Sequence, residues 1–408
     1  MSGDDRQPVI DFDHHTPEFG QDAAAKFADL RGRCPVAHTD AYEGFWVAST
    51  YETARKVISD HESFTVEKSA DGSKGGKLIP TSKAAPSILP GILDGEAHDR
   101  LRRPLKALFA RGAVEENVAP IARRVAAALV AELREREEFD FAQEFSFRMT
   151  VETICDFVGL EEVGDRTKFI LMLEDAFAID PEAGANRDAL ASSAARQFEA
   201  ASNLVRDVVR ARTAEPTGDL ISHMVDPSTG LTEDEVVSLA LSMVLGGVRT
   251  TASSLDHIIV HLDSHPDLRE QLRAEPKLIA NAVDELVRIS AVTPLVARTA
   301  TCDVQVGDVL VREGERMAAL IASANLDEER FPDAETVKLD RRDGLHLSFG
   351  AGLHYCLGIW LAKMELRVAV EAILDQLPNL RIVPDGVQRY RIVGVNNGFT
   401  HLRVRPNG

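Results

Sequence analysis

Between Phe349 and Gly358 the chain reads Phe-Gly-Ala-Gly-Leu-His-Tyr-Cys-Leu-Gly, with Cys356 set among three glycines and Phe349 seven residues before it. Leu357, Leu361, Met364 and Val368 follow at helical spacing, and Pro378 closes that run. The cysteine therefore stands where a glycine-rich loop turns into a helix. A helix start presents free N–H groups and the positive end of the macrodipole, and both favour a thiolate over a thiol. Glycines let backbone N–H groups approach the sulfur and adopt φ > 0. One cysteine beside one glycine would be read as a buried structural thiol; six fixed residues over ten positions carry more. A thiolate held in this way, next to an aromatic ring, suits the axial position of a flat iron macrocycle.

The remaining composition narrows the setting. The chain has 408 residues, 44% of them hydrophobic, enough for a large core, and no linker, low-complexity tract or repeat divides it. A net charge of −19 and a pI of about 5.1 argue against a nucleic-acid partner, which needs clustered Lys and Arg. The segment from Met1 to Asp13 has neither a basic n-region nor an apolar core, and no uninterrupted apolar run has membrane-span length, so we expect neither a signal peptide nor a membrane anchor. Cys34, Cys155, Cys302 and Cys356 form no C-x-x-C pair, which speaks against a disulfide framework or zinc site.

Along the chain, Phe45–Thr50 reads as a strand and Tyr51–Asp60 as a helix. Residues 65–93 are an aperiodic loop rich in Gly, Lys, Ser and Pro. His98 and Arg102 share a helix face, which is either a grip for a carboxylate or a solvated basic face. Residues 114–212 are mostly amphipathic helix, broken near Pro181 and Gly184. Thr232 to Glu235 is a capping box that opens a helix running to about His265, a rod of roughly 50 Å, with Gly246 and Gly247 as a weak point in mid-course. Glu285 and Arg288 face the same way on the next helix. Asp303–Val306 alternates like a half-buried strand, and Val393–Phe399 reads as a hairpin with an Asn-Gly turn.

The cysteine pattern resembles the haem-binding loop of the cytochrome P450 family. With His98/Arg102, Gly246-Gly247/Thr250, Glu285/Arg288 and Arg341 in the same order, the resemblance covers about residues 15–405. It implies a mainly α fold with smaller β-sheets, a triangular prism with a long central helix over haem b. The whole of 1–408 would be one domain, with residues 1–14 a flexible arm. By resemblance Cys356 ligates the iron, His98, Arg102, Arg298 and His354 hold the propionates, and Phe349 lies beside the sulfur. Glu285, Arg288 and Arg341 would be structural, and Ala324–Asp327 departs harmlessly from the usual pattern. Thr250 would supply a hydroxyl for proton delivery. The loop at 65–93 would roof the substrate pocket through Leu89 and Leu93, and 165–212 would form a flexible lid. Val244, Gly247, Val248, Leu295, Val296 and Phe399 would line the pocket.

Arg249 departs from the family, which has an acid there, and a guanidinium cannot relay protons. Three readings are open: Arg249 turns away into an ion pair, binds an anionic substrate group, or marks a peroxide-driven peroxygenase. The retained Thr250 and Thr251 support the first. The resemblance implies a monooxygenase acting on a hydrophobic small molecule, with no flavin in this chain and with ferredoxin and ferredoxin reductase as electron donors in the cytoplasm. Arg103, Lys106, Arg111 and Lys363 are either the docking patch or a solvated face. A haem-binding sensor or carrier without turnover is the reading from a different class.

Overall fold

The structure, a computed structural model, describes residues 9–70, 72, 74–81, 88–175, 187–341 and 345–408. Helices dominate it, with three small sheets of five, three and two strands among the described residues. The largest core cluster is helical and surrounds the central rod.

Thr232 opens that rod. Its hydroxyl accepts the Glu235 N–H at 3.3 Å, and the Glu235 carboxylate accepts the Thr232 N–H at 2.9 Å. The rod runs as Glu233–Gly247 and Arg249–Ser264, divided at Val248 (φ −83°, ψ −75°). The paired glycines, expected to weaken one long helix, mark where it breaks. Thr250 Oγ1 bridges the break by donating to the Gly246 carbonyl at 2.7 Å. The rod is long and apolar enough to cross a bilayer by length and composition, but its most apolar window is largely buried within the protein.

The five-stranded sheet has the order Val36–Thr39, Phe45–Ala48, Arg316–Ala319, Val296–Ala300, Phe64–Thr65. Phe45–Ala48 pairs in parallel with Arg316–Ala319, and the other pairings are antiparallel. All four residues of Phe45–Ala48 are buried because both faces are covered. Trp46 and Ala48 pack with Val57 and Ile58 of the helix Tyr51–Ser59, whereas Phe45 and Val47 pack with Phe12, Phe19 and Phe27. Residues 9–14 therefore do not form the expected arm. Phe12 and His14 are 1% and 0% exposed, and Phe12 meets the rings of Phe19 and Phe45 edge-on. Burial of one phenylalanine holds the segment down; residues 1–8 of the expected arm lie outside the described residues.

Two more expectations change. Phe399–Arg405 pairs with Arg381–Arg389, but residues 390–398 connect them in place of a tight Asn-Gly turn. That connection packs on the rod, where His257 Nε2 lies 3.1 Å from Asn397 O and a Cβ on Gly398 would lie 2.4 Å from Ser253 Oγ, and the Asn397 N–H donates to Val292 O, beyond the helix Ile279–Ser290, at 2.8 Å. Of the expected lid, helices Arg166–Asp175 and Arg187–Ala214 are described, and the expected break near Pro181 and Gly184 lies outside the described residues.

A buried knot fixes the approach to the cysteine loop. Glu285 accepts both Nε and Nη2 of Arg288 at 2.9 Å, and Nε of Arg341 at 2.9 Å. Arg288, fully buried, also donates to the Asn325 and Ala334 carbonyls at 2.9 and 2.7 Å. Asn325 in turn accepts the Leu347 N–H at 2.7 Å and donates to Ser348 Oγ at 2.8 Å. Arg288→Ala takes both guanidinium bonds from the Glu285 carboxylate, leaving it Arg341 and the Lys338 N–H, and strands two buried carbonyls, so we expect a loss of about 3–5 kcal/mol. Denaturant unfolding of the variant checks this, and a loss under about 1 kcal/mol would contradict it.

Candidate active site

A cavity of about 420 Å³ separates the rod break from the cysteine loop. Its floor includes Phe349, His354, Cys356 and Leu361, and its ceiling Met243, Gly246, Gly247, Thr250 and Thr251. The floor is shaped by backbone bonds. The Cys356 N–H donates to Phe349 O, and the Gly350 N–H to Leu347 O, both at 2.8 Å. Gly352 sits at φ +67°, and a Cβ there would come within 2.7 Å of Ser59 Cα, so only glycine fits between the loop and the helix below it.

The sulfur sits differently from the sequence expectation. The helix begins at Ile359 with Gly358 as its N-cap, so Cys356 precedes the first turn and gains little from its dipole. Burial pushes the Cys356 thiol up, opposed by the Gly358 N–H and the Arg102 charge. A cation at the sulfur would favour the thiolate further.

Basic groups gather on one side of the cavity. Arg102 reaches under the loop to the carbonyls of Leu353 (3.3 Å) and Tyr355. His354 Nε2 lies 2.7 Å from Asp94 Oδ1, and the rings of His98 and His354 meet at 4.7 Å. Burial alone would raise Asp94, but His354, Thr65 and the Val66 N–H outweigh it and hold the carboxyl at about 2. His98 is 1% exposed and its Nδ1 lacks a hydrogen-bond partner. Arg298 is 7% exposed, donates only to the Ala297 carbonyl at 2.9 Å, and is pulled down to about 10 by burial. These residues fit a flat group with two carboxylates: Arg102 and Arg298 on the wall with no ion pair to a described acid, His98 and His354 beside them, an apolar floor, and one sulfur. Among the described residues no cluster of three metal-binding side chains exists.

The expected lining is partly displaced. Gly247 and Val296 border the cavity; Leu89, Leu93, Val244, Val248, Leu295 and Phe399 do not. Val244 and Val248 face the helical core, and the ceiling uses the neighbouring helix face with its small and polar residues. Leu295 and Val296 are consecutive along an extended segment and point to opposite sides, Leu295 into the cluster under the N-terminal helix. Leu89 and Leu93 pack on the main core while Pro90 and Gly91 border the cavity. Phe399 packs against His257, ring centroids 4.7 Å apart.

Sequence reasoning missed Lys77, Ser254 and Glu365, all on the cavity wall. Glu365 is 2% exposed and burial drives its carboxyl well above the usual range. Its signal was available: an acid on the apolar stripe after Cys356.

Arg249 is not on the cavity wall. Its Nε lies 2.7 and 2.8 Å from the two Glu174 carboxylate oxygens, and its guanidinium sits 4.0 Å from the Phe147 ring centroid. Behind it, Ser146 Oγ donates to Asp256 Oδ1 at 2.6 Å, and burial pushes Asp256 up to about 8.

A family model described as Cytochrome P450 matches residues 46–379. The mycinamicin IV hydroxylase/epoxidase of Micromonospora griseorubida is 32% identical over 384 residues, covering 91% of this chain and 92% of that protein. The steroid C26-monooxygenase of Mycobacterium tuberculosis is 30% identical over 368 residues, covering 90% and 88%. A Bacillus megaterium structure in complex with testosterone superposes with a TM-score of 0.84 at 21% identity, covering 96% of this chain and 100% of that one.

The Asp256 carboxyl supplies a pH test. Its folded pKa of about 8 lies above the ordinary 3.8, so the folded chain holds a proton that the unfolded chain releases. Its contribution to stability therefore falls as pH rises from 3.8 to about 8 and is level above. Thermal unfolding of Asp256→Asn should show an advantage over the parent that grows across this window; a constant difference would refute the assignment.

Proposed function

The chain belongs to the cytochrome P450 family and is an oxidoreductase, and from that premise we propose a haem-thiolate monooxygenase of hydrophobic small molecules, supplied with electrons by a separate protein. The observation that carries this reading is the placement of Cys356 across one cavity from the hydroxyl-bearing rod break. Haem held between them through Cys356 would supply the oxygen-activating chemistry. The net reaction places one atom of O₂ in the product and the other in water, consuming two electrons and two protons.

In this reading the protein's side chains seat the cofactor and manage protons. Arg298, Arg102 and His98, which border the cavity, would hold its carboxylates, and His354, held by Asp94, would complete that side. Phe349 on the cavity floor would pack against it; Glu285, Arg288 and Arg341 hold the loop. Thr250 Oγ1 holds a proton on the Gly246 carbonyl and can turn it into the cavity. Arg249 keeps its protons and is occupied by Glu174, which removes the main reason for a peroxygenase or an Arg249-bound substrate anion.

Met243, Val292 and Val296 make part of the wall apolar, which supports a hydrophobic substrate. Relatives named for mycinamicin IV and for a steroid support a substrate of some bulk. The electron donor we propose is a ferredoxin with its reductase, in the cytoplasm. It would dock beside the cysteine loop, where Arg111 lies over the exposed Trp360 ring at 5.5 Å, with Arg103 and Lys106 exposed nearby in sequence. Lys363 is engaged by Asp284 at 2.5 Å and contributes less.

Reduction of the purified holoprotein under carbon monoxide should give the far red-shifted Soret band of thiolate ligation, and Cys356→Ser should lose it; a parent without that band would defeat the reading. With a turned-over substrate, Thr250→Ala should lower product formed per reductant consumed by roughly 10-fold or more. Unchanged coupling would remove Thr250 from proton delivery.

A further inference from the structure

Lys77 has a setting that the reading above leaves unexplained. Four successive carbonyls around it are held by donors from elsewhere in the fold. Arg316 Nη2 donates to Gly76 O at 2.7 Å and to Leu78 O at 2.8 Å. The Ala297 N–H donates to Lys77 O at 2.9 Å. His14 and His15 both direct Nε2 at Ile79 O, at 2.9 and 2.7 Å. A stretch of loop without helix or strand is thus pinned residue by residue, and the side chain it presents is a lysine on the cavity wall.

The ammonium is aimed inward. Lys77 keeps much of its surface accessible, and that surface opens onto the cavity; its Nζ lies beside Gly91, where a Cβ would be 3.1 Å away. No ion pair joins Lys77 to any described acid, nor does one join Arg298, its neighbour across the Ala297 bond. The nearest acid to Arg298, Asp94, is already engaged by His354, Thr65 and the Val66 N–H. Burial pulls the Lys77 ammonium down, and the Arg298 charge pulls it further. Two like charges on one wall repel each other, and an anion between them satisfies both. The cleft lies at the level of the cysteine loop, since Arg298 feels Asp94 and Asp94 holds His354 of that loop.

We propose that Lys77 is a cofactor-positioning residue whose ammonium, with the Arg298 guanidinium, forms a carboxylate cleft that takes one propionate of the bound haem. The proposal rests on the haem-thiolate reading and ties the 76–79 segment to the cofactor. A substrate carboxylate shares the same chemistry, and the test separates the two sources.

Holoenzyme is mixed with excess apomyoglobin, and haem transfer is timed for the parent, Lys77→Met and Lys77→Arg. Loss of one charge-assisted bond should speed release by about 10-fold or more in Lys77→Met, with Lys77→Arg near the parent. The carbon monoxide band of each holoprotein is recorded alongside. An intact thiolate band with equal release rates overturns the Lys77 assignment while sparing the haem-thiolate reading; a parent without the band overturns both. In a second arm, spin-state titrations compare a fatty acid with its primary amide. If Lys77→Met weakens only the acid and leaves haem release unchanged, the cleft serves substrate and the proposal fails. Should Lys77→Met yield no holoprotein, Lys77→Gln replaces it, with equal release from Gln and Arg variants again counting against the proposal.

Discussion

A carboxylate at 8% side-chain exposure with two guanidiniums around it sets the terms for this fold. Glu285 receives Arg288 and Arg341, and its remaining capacity takes the Lys338 N–H at 3.1 Å. Such a knot adds little net stability over an apolar core, because desolvating the charges costs about what their attraction returns. Its value lies in direction. Arg288 spans Asn325 and Ala334, Asn325 captures Leu347, and Ser348 Oγ returns to Val287 O at 2.9 Å. The loop carrying Cys356 is thereby referenced to the helix Ile279–Ser290 before it reaches the cavity. An irregular loop has no ladder of its own to fix a sulfur's position, so the fixing comes from buried polar groups with one satisfied arrangement.

The central rod solves the complementary problem. A ceiling over a flat group must be close and free of bulk, so the cavity face carries Gly246, Gly247, Thr250 and Thr251, and Val244 and Val248 go to the core. Successive helical residues point about 100° apart. Arg249 can therefore turn to Glu174 and Phe147 while Thr250 keeps to the cavity. A basic residue beside the cavity is harmless to a proton-handling hydroxyl when the helix itself separates the two.

The cysteine loop, the capping box and the paired glycines were legible because each is a local pattern with a local physical cause. The Phe45–Ala48 strand, the helix after it and the knot residues were legible for the same reason, helped by family resemblance. The facing of side chains was not. Leu295 and Val296 look equally apolar in sequence, and only strand pairing decides that Leu295 joins the N-terminal cluster. Val244 and Met243 differ by one helical step, which no periodicity in a uniformly apolar rod can settle. Lys77 was invisible because its position depends on Arg316, Ala297, His14 and His15, donors separated from it by between 62 and 239 residues. Phe12 was overlooked because one aromatic in a polar run gives no period, yet one buried ring is enough to hold a segment down.

Charge ties these observations together. The chain is acidic by 19 charges, yet its cavity wall carries Lys77, Arg102 and Arg298. Acids across the surface are screened within about 10 Å, and Asp94, which acts on Arg298, is already engaged by His354. Burying unmatched cations opposes folding, so this wall is a place where the polypeptide alone is not at its most stable. A ligand that brings carboxylates of its own recovers that cost and stabilises the folded state by mass action. The cofactor is then part of what completes the core, and an anionic group that the acidic surface would repel gains by entering this basic wall.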